Sequence, residues 1–158
     1  MDWAGWATFG FVATVILSGI MVASQLLGLS RMDLVLMLGT MFVEDLDRAR
    51  VVGFFIHLVN GQVFALLYAG AFALIGWATW WLGALFGLVH GLAALTVIIP
   101  LMPGVHPRMA SERSGPDLTT VLEPPGALGF NYGRETLAFT LIAHIAYGAV
   151  LGGFLNPR

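Results

Sequence analysis

Four histidines carry most of the chemistry that this sequence offers: His57, His90, His106 and His144. A neutral imidazole donates and accepts hydrogen bonds, exchanges protons near neutral pH, and binds Zn, Cu or Fe. His57, His90 and His144 lie inside long apolar stretches, where an ionisable residue indicates a functional site. His106 follows in a connection rich in proline and glycine.

The three histidines in apolar stretches are predicted to lie at similar depths. The depth of each histidine is counted from the side where the two long connections lie. At 1.5 Å per residue, His57, His144 and His90 lie roughly 9, 14 and 16 Å from that side. Glycines recur at helical spacing on the face of each histidine, and small residues let helices approach closely. We therefore expect these three side chains to converge inside a helix bundle, with His106 folding towards them from a connection.

Three interpretations of such a cluster stay open. The imidazoles form hydrogen bonds between helices, with Asn60 and Tyr147 as polar neighbours. Alternatively, they bind a cofactor: all four histidines would surround a divalent metal, or His57, His90 and His144 would line a site for haem b. The third interpretation is a proton or quinone site.

No catalytic residue is predicted. The sequence contains no phosphate-binding glycine loop, nucleophile elbow or HExxH motif. It also has no cysteine, which excludes disulfides, thiolate metal sites and a cysteine nucleophile. Because no carboxylate lies in the middle of an apolar stretch, proton-coupled transport is disfavoured as well.

The composition identifies the elements that must position the histidines. Of 158 residues, 58% are hydrophobic and only 10% are charged, against about 25% charged in an average soluble domain. The mean hydropathy is +0.87. A net charge of −2 without any lysine leaves no basic surface for nucleic acid. These values exclude an ordinary soluble enzyme and a nucleic-acid-binding protein, and they predict an integral membrane protein.

The predicted fold is an all-α bundle of four transmembrane helices in a single membrane domain, residues 1–158. The apolar stretches at about 3–27, 51–75, 79–101 and 135–155 are long enough to cross a bilayer. Loops 28–50 and 102–134 connect them. Residues 34–43 are apolar but too few to span, so they predict a short interfacial or re-entrant helix with Asp33 as its N-cap. Residues 124–133 are predicted to dock as a cap on the bundle.

Arginine and tryptophan positions predict the orientation. Six of the seven arginines fall in the two loops, on one side of the membrane: Arg31, Arg48, Arg50, Arg108, Arg113 and Arg134. Only Arg158 lies on the other side, together with all five tryptophans: Trp3, Trp6, Trp77, Trp80 and Trp81. The positive-inside rule then places the loops in the cytoplasm and both termini outside the plasma (inner) membrane.

The segments HLVNGQVFALLYAG, LFGLVHGLAA, HPRM and HIAYGAVLGG together resemble a family of small four-helix bacterial membrane proteins without an assigned function. The resemblance covers roughly residues 30 to 155. It implies a four-span protein and no particular reaction.

Two functions follow from the sequence. The first is a non-catalytic membrane subunit or scaffold that packs with other membrane subunits and has a histidine-lined polar interior. The alternative is a haem- or metal-binding membrane redox protein that uses His57, His90 and His144. No soluble substrate is indicated.

Overall fold

The computed structural model describes residues 2–111 and 115–156, most of which are helical and none of which forms a β-strand. Four helices are long and apolar enough to cross a membrane. They are α1 (Trp3–Leu26), α3 (Leu46–Ile75), a helix from Trp80 to Val105, and α6 (Thr136–Phe154). A short helix, α2 (Leu34–Thr40), lies between α1 and α3. The predicted fold class, an all-α four-helix bundle with one short additional helix, is confirmed.

Aspartate side chains fix the starts of the first three helices. Asp2, Asp33 and Asp45 accept hydrogen bonds from backbone N–H groups three residues further on, at 2.7, 2.8 and 2.9 Å. Each cap of this kind stabilises a helix by about 1 kcal/mol. The Asp45 cap explains why α3 begins at Leu46 rather than near the predicted Val51, because it allows the charged residues that follow to form the first turns.

The third long helix continues past its predicted end near Leu101. It consists of α4 (Trp80–Ala93), a π-helical turn (Ala94–Ile98) and α5 (Ile99–Val105). The π turn shifts the hydrogen-bonding register, so that Pro100 falls in the first turn of α5, where a missing N–H is tolerated. The helix therefore continues about one turn beyond the end predicted for this span near residue 101.

Helices α4 and α6 pack with their backbones in contact. A Cβ atom on Gly83 would overlap the carbonyl oxygen of Gly148, and one on Gly87 would overlap the carbonyl oxygen of His144. The converse also holds, since a Cβ on Gly148 would overlap the carbonyl oxygen of Gly83. The glycine stripes are therefore helix-packing faces, which brings the backbone beside His144 directly against α4.

Helix α1 packs antiparallel to α3 and also contacts α6. The indole N–H of Trp6 donates to the carbonyl of Gln62 at 2.9 Å, and the Gln62 amide donates to the carbonyl of Ala7 at 3.0 Å. Further along the pair, a Cβ on Gly61 would overlap the Thr14 hydroxyl. Gln62 therefore faces α1 rather than the centre of the bundle.

Helices α3 and α4 meet through aromatic rings instead of glycines. Phe72 stacks on Phe86 with ring centroids 5.5 Å apart, and Phe64 stacks on His90 at 4.0 Å. Large side chains hold two backbones further apart than glycine does. The bundle is consequently tight between α4 and α6 and open between α3 and α4.

The predicted loops meet at one end of the bundle, here called the arginine-rich end and defined by Arg31, Arg48, Arg50, Arg108 and Arg134. Arg31 pairs with Glu123 at 2.7 Å, and Arg108 pairs with Glu44 at 2.9 Å.

Tyr132 is buried at the end of a 3₁₀ turn, Ala127–Tyr132, and its hydroxyl donates to the Glu123 carbonyl at 2.6 Å. Burial, with a contribution from Glu123, raises the pKa of Tyr132 to about 12 and keeps this hydroxyl protonated. Segment 124–133 thus docks on the bundle.

Candidate functional site

A cavity of about 130 Å³ lies inside the bundle towards its arginine-rich end. All the helices contribute to its lining, α1 to α6, together with the π turn and the segment before α2. Most of its wall is apolar. The polar residues on the wall are Thr14, His57, Asn60, His90, Thr140, His144 and Tyr147. The structure therefore places three of the four histidines around one space.

His57 of α3 is held by the adjacent helix α1. Its Nδ1 atom lies 3.0 Å from the hydroxyl oxygen of Ser18, and that hydroxyl donates to the carbonyl of Thr14 at 2.8 Å. A serine hydroxyl has a single proton. Because the Thr14 carbonyl can only accept, both contacts are satisfied together only when His57 carries its proton on Nδ1 and donates to Ser18, which leaves the lone pair on Nε2.

His144 of α6 is fixed in the same way by its own helix. Its Nδ1 atom lies 2.8 Å from the carbonyl oxygen of Thr140, one turn earlier. A carbonyl oxygen only accepts, so Nδ1 of His144 must donate. The Nε2 atom of this neutral imidazole is again the acceptor.

His90 of α4 is held by rings. It stacks on Phe64 and meets His144 edge to face, with ring centroids 4.7 Å apart and an interplanar angle of 80°. The Tyr68 hydroxyl lies 3.4 Å from its Nδ1 atom. Tyr147 does not reach the histidines with its hydroxyl, which donates to the carbonyl of Gly61 at 2.6 Å.

Several polar atoms on the cavity wall have no partner. In the described part of the chain, the Nε2 atoms of His57, His90 and His144 make no hydrogen bond. The Thr140 hydroxyl, on a residue only 3% exposed, is likewise without one. An unsatisfied buried polar group costs about 1–3 kcal/mol. Of the fully buried atoms without a partner in the described residues, Gln62 Oε1 and Thr79 Oγ1 lie away from this cavity, so what distinguishes the cavity is its three imidazole Nε2 atoms without a hydrogen bond.

His106 is not among the residues that line the cavity. Its Nε2 atom lies 2.8 Å from the carbonyl oxygen of Met37, to which it donates, and its Nδ1 atom accepts from the backbone N–H of Arg108 at 3.1 Å. Both ring nitrogens are therefore used. The structure does not bring His106 to the other three histidines; instead it satisfies a carbonyl near the end of α2 that the helix leaves free.

The described side chains form no metal site with three or more ligands, and His90 and His144 are not placed to ligate a haem from its two faces. Across the described residues there is no group of three or more His, Cys, Asp or Glu side chains placed to hold one metal ion. Two imidazoles on one tetrahedral ion hold their nitrogens about 3.3 Å apart, since each metal–nitrogen bond is about 2.0–2.1 Å long, and the ring centres lie further out still. The direct edge-to-face contact of His90 and His144 leaves no layer for a porphyrin between them.

Ser18 and Thr140 are the functional residues that sequence reasoning missed. Serine and threonine in apolar helices commonly bond their own backbone, so neither residue stands out. The available signal was spacing: Thr140 precedes His144 by one turn, and Thr14 precedes Ser18 by one turn. Asn60 and Tyr147, the predicted polar neighbours, are both on the cavity wall, whereas Tyr68 and Gln62 are not.

No protein-family model, curated protein or solved structure matches this chain. The resemblance to small four-helix bacterial membrane proteins stays a prediction, and the function has to be inferred from the site itself.

Proposed function

We propose that this chain is a non-catalytic multi-pass membrane protein that holds a small lipid-soluble molecule in its histidine-lined cavity. The observation that carries the proposal is the set of unpartnered polar atoms on the wall: three imidazole Nε2 atoms and the Thr140 hydroxyl. A mainly apolar pocket with a few convergent polar groups is the usual form of a small-molecule site.

The ligand reaches the cavity from the bilayer, between α3 and the π turn. Asn60 and Ile98 both line the cavity and are also exposed on the outer surface of the bundle. Ring contacts rather than backbone contacts close the neighbouring stretch of α3 and α4. An opening on the lipid-facing surface selects molecules that already dissolve in the membrane.

The π turn supports a binding role independently. Ala94 and Ile98, its first and last residues, both line the cavity. Single π turns within α-helices are rare and are frequent at functional sites. A π turn holds one residue more than an α-helical turn. The residues of the π turn that line the cavity are therefore displaced relative to His90, which lies one turn earlier in the chain.

The proposal includes the inner membrane, with both termini outside. It is supported by the arginine-rich end and by the five tryptophans at the opposite end, where Trp77 and Trp81 are in ring contact at 5.3 Å. Arg113 and Arg158, also used to predict the orientation, lie outside the described residues. Association with other membrane subunits remains part of the proposal.

The test is retention of a ligand by a variant with a filled cavity. Ala94 lines the cavity, so Ala94→Trp would occupy it, whereas Val97→Trp in the same π turn adds an indole at a residue that is 55% exposed and does not line it. Protein purified in native-lipid nanodiscs is extracted, and small molecules are quantified by mass spectrometry.

We expect one small lipid-soluble species in near-stoichiometric amount with the wild type and Val97→Trp. Ala94→Trp, folded by the criterion of its melting temperature, should lose at least about nine-tenths of it. Equal amounts in all three samples, or no stoichiometric species in the wild type, would contradict the proposal.

A further inference from the structure

We propose that the ligand is a hydrogen-bond donor with two hydroxyl groups on an aromatic ring, that is, a lipid-soluble quinol. This inference rests on the proposed function and specifies its ligand class. It concerns binding alone and requires no chemical step.

Hydrogen-bond partners determine which ring nitrogen carries the proton in His57 and His144. The Thr140 carbonyl fixes His144 as the tautomer with the proton on Nδ1. The Ser18 hydroxyl, which donates to Thr14, does the same for His57. Both histidines therefore present an Nε2 lone pair to the cavity, from two different helices.

The surroundings keep these imidazoles neutral. Among the described residues that line the cavity there is no aspartate or glutamate, and eight of the seventeen are leucine, isoleucine, methionine or phenylalanine. His57 and His144 are each only 8% exposed. An unpaired charge in such a place is costly, so the lone pairs stay available as acceptors.

Two fixed acceptors in an apolar wall select a ligand with donors. A ligand carbonyl would place its lone pairs against those of Nε2, and the buried acceptors would stay unsatisfied. A hydroxyl satisfies one acceptor, and a ligand with two hydroxyls satisfies both. Because no three ligating side chains converge on one point in the described structure, separate donors on one molecule fit better than a single ion.

The remaining wall suits a ring. Phe64 lies flat on His90, and both side chains line the cavity beside His144. Aromatic pairs favour stacked and edge-to-face contacts with ring centroids about 4.5–7 Å apart. The Thr140 hydroxyl, buried and unpartnered on the same wall, can accept from or donate to a ring oxygen. The cavity thus offers hydrogen-bonding and stacking partners to a quinol ring, whose apolar tail would extend through the opening to the bilayer.

The test compares the two oxidation states of one molecule. Decylbenzoquinol and decylbenzoquinone are partitioned, without oxygen and at neutral pH, between nanodiscs with protein and empty nanodiscs. We expect the quinol to bind at least about tenfold more tightly than the quinone, the factor that follows from one lost hydrogen bond of about 1.4 kcal/mol. Farnesol, an isoprenoid alcohol with one hydroxyl, should bind more weakly than the quinol.

Variants identify the acceptors. His57→Leu removes one of the two lone pairs and should reduce the preference for the quinol by the factor that one hydrogen bond contributes, about tenfold, with quinone binding unchanged. His57→Gln offers either a donor or an acceptor, so it should keep quinol binding and improve quinone binding. Thr96→Val, which lies outside the cavity and whose native hydroxyl bonds the carbonyl of Leu92, should change neither.

A quinone that binds as tightly as the quinol, or farnesol that binds more tightly than both, would overturn this inference. In either case the proposed function would stand, provided that Ala94→Trp still abolishes the binding observed. Failure of the proposed function has a different signature, since no compound would then prefer wild-type nanodiscs to those with Ala94→Trp.

Discussion

The four histidines differ in how many of their ring nitrogens the protein itself uses. His106 uses both, whereas His57, His90 and His144 each leave Nε2 free. The depths of the latter three could be predicted, because the rise of a helix per residue is constant. His106 could not be placed, since the path of its connection depends on proline and glycine conformations that no periodicity describes.

This difference predicts unequal costs of substitution. His106→Ala leaves the N–H of Arg108 without a partner and the carbonyl of Met37 with only the 3.3 Å contact from the Thr40 hydroxyl, and should lower the free energy of unfolding by about 2–4 kcal/mol. His90→Ala loses one long hydrogen bond and ring contacts and should cost about 1 kcal/mol. Thermal unfolding in detergent measures both; equal costs would show that His90 is also a packing residue.

At the scale of the helices, glycine and aromatic residues decide which pairs pack tightly. The glycine spacing on α4 and α6 was visible in the sequence, and so was the tendency of such faces to pack. The π turn was not, because a shift of hydrogen-bonding register depends on how α4 packs on α6 and on how Pro100 is accommodated. For the same reason the end of the third helix was predicted about one turn too early.

Two glycine substitutions separate packing from helix propensity. Gly87→Ala places a methyl group against the carbonyl of His144 and should destabilise the protein by about 1–3 kcal/mol. Gly70→Ala, on a helix with no other atom within 4 Å of the new Cβ, should stabilise it by up to about 1 kcal/mol. If Gly87→Ala were as stable as Gly70→Ala, the backbone contact between α4 and α6 would be refuted.

At the scale of the whole molecule, composition and charge gave the architecture directly. The number of long helices and the short additional helix followed from the lengths of the apolar stretches. The wider spacing between α3 and α4, which aromatic rings maintain, could not be predicted from the sequence, because it depends on side-chain contacts between distant parts of the chain.

The proposed orientation predicts the behaviour of fusions. A reporter active only in the cytoplasm, fused to either terminus, should be inactive, and one active only outside should work at both. A fusion within the arginine-rich end, at residue 118, should show the opposite pattern, since Leu118 is fully exposed there. Cytoplasmic activity from the C-terminal fusion would refute the orientation and leave the number of helices unchanged.

The central claim is that a cavity between the helices opens to the bilayer. The rate at which a lipid-soluble reagent labels a residue on the α1 wall of this cavity tests the claim most directly. The chain has no cysteine, so single cysteines report cleanly. Leu17 and Ala13 lie one turn apart on α1, at 4% and 0% exposure, and only Leu17 lines the cavity. In nanodiscs, a small lipid-soluble maleimide should label Leu17→Cys at least about tenfold faster than Ala13→Cys, and adding Ala94→Trp should abolish the difference. Equal, slow labelling of both cysteines would contradict a cavity that opens to the bilayer.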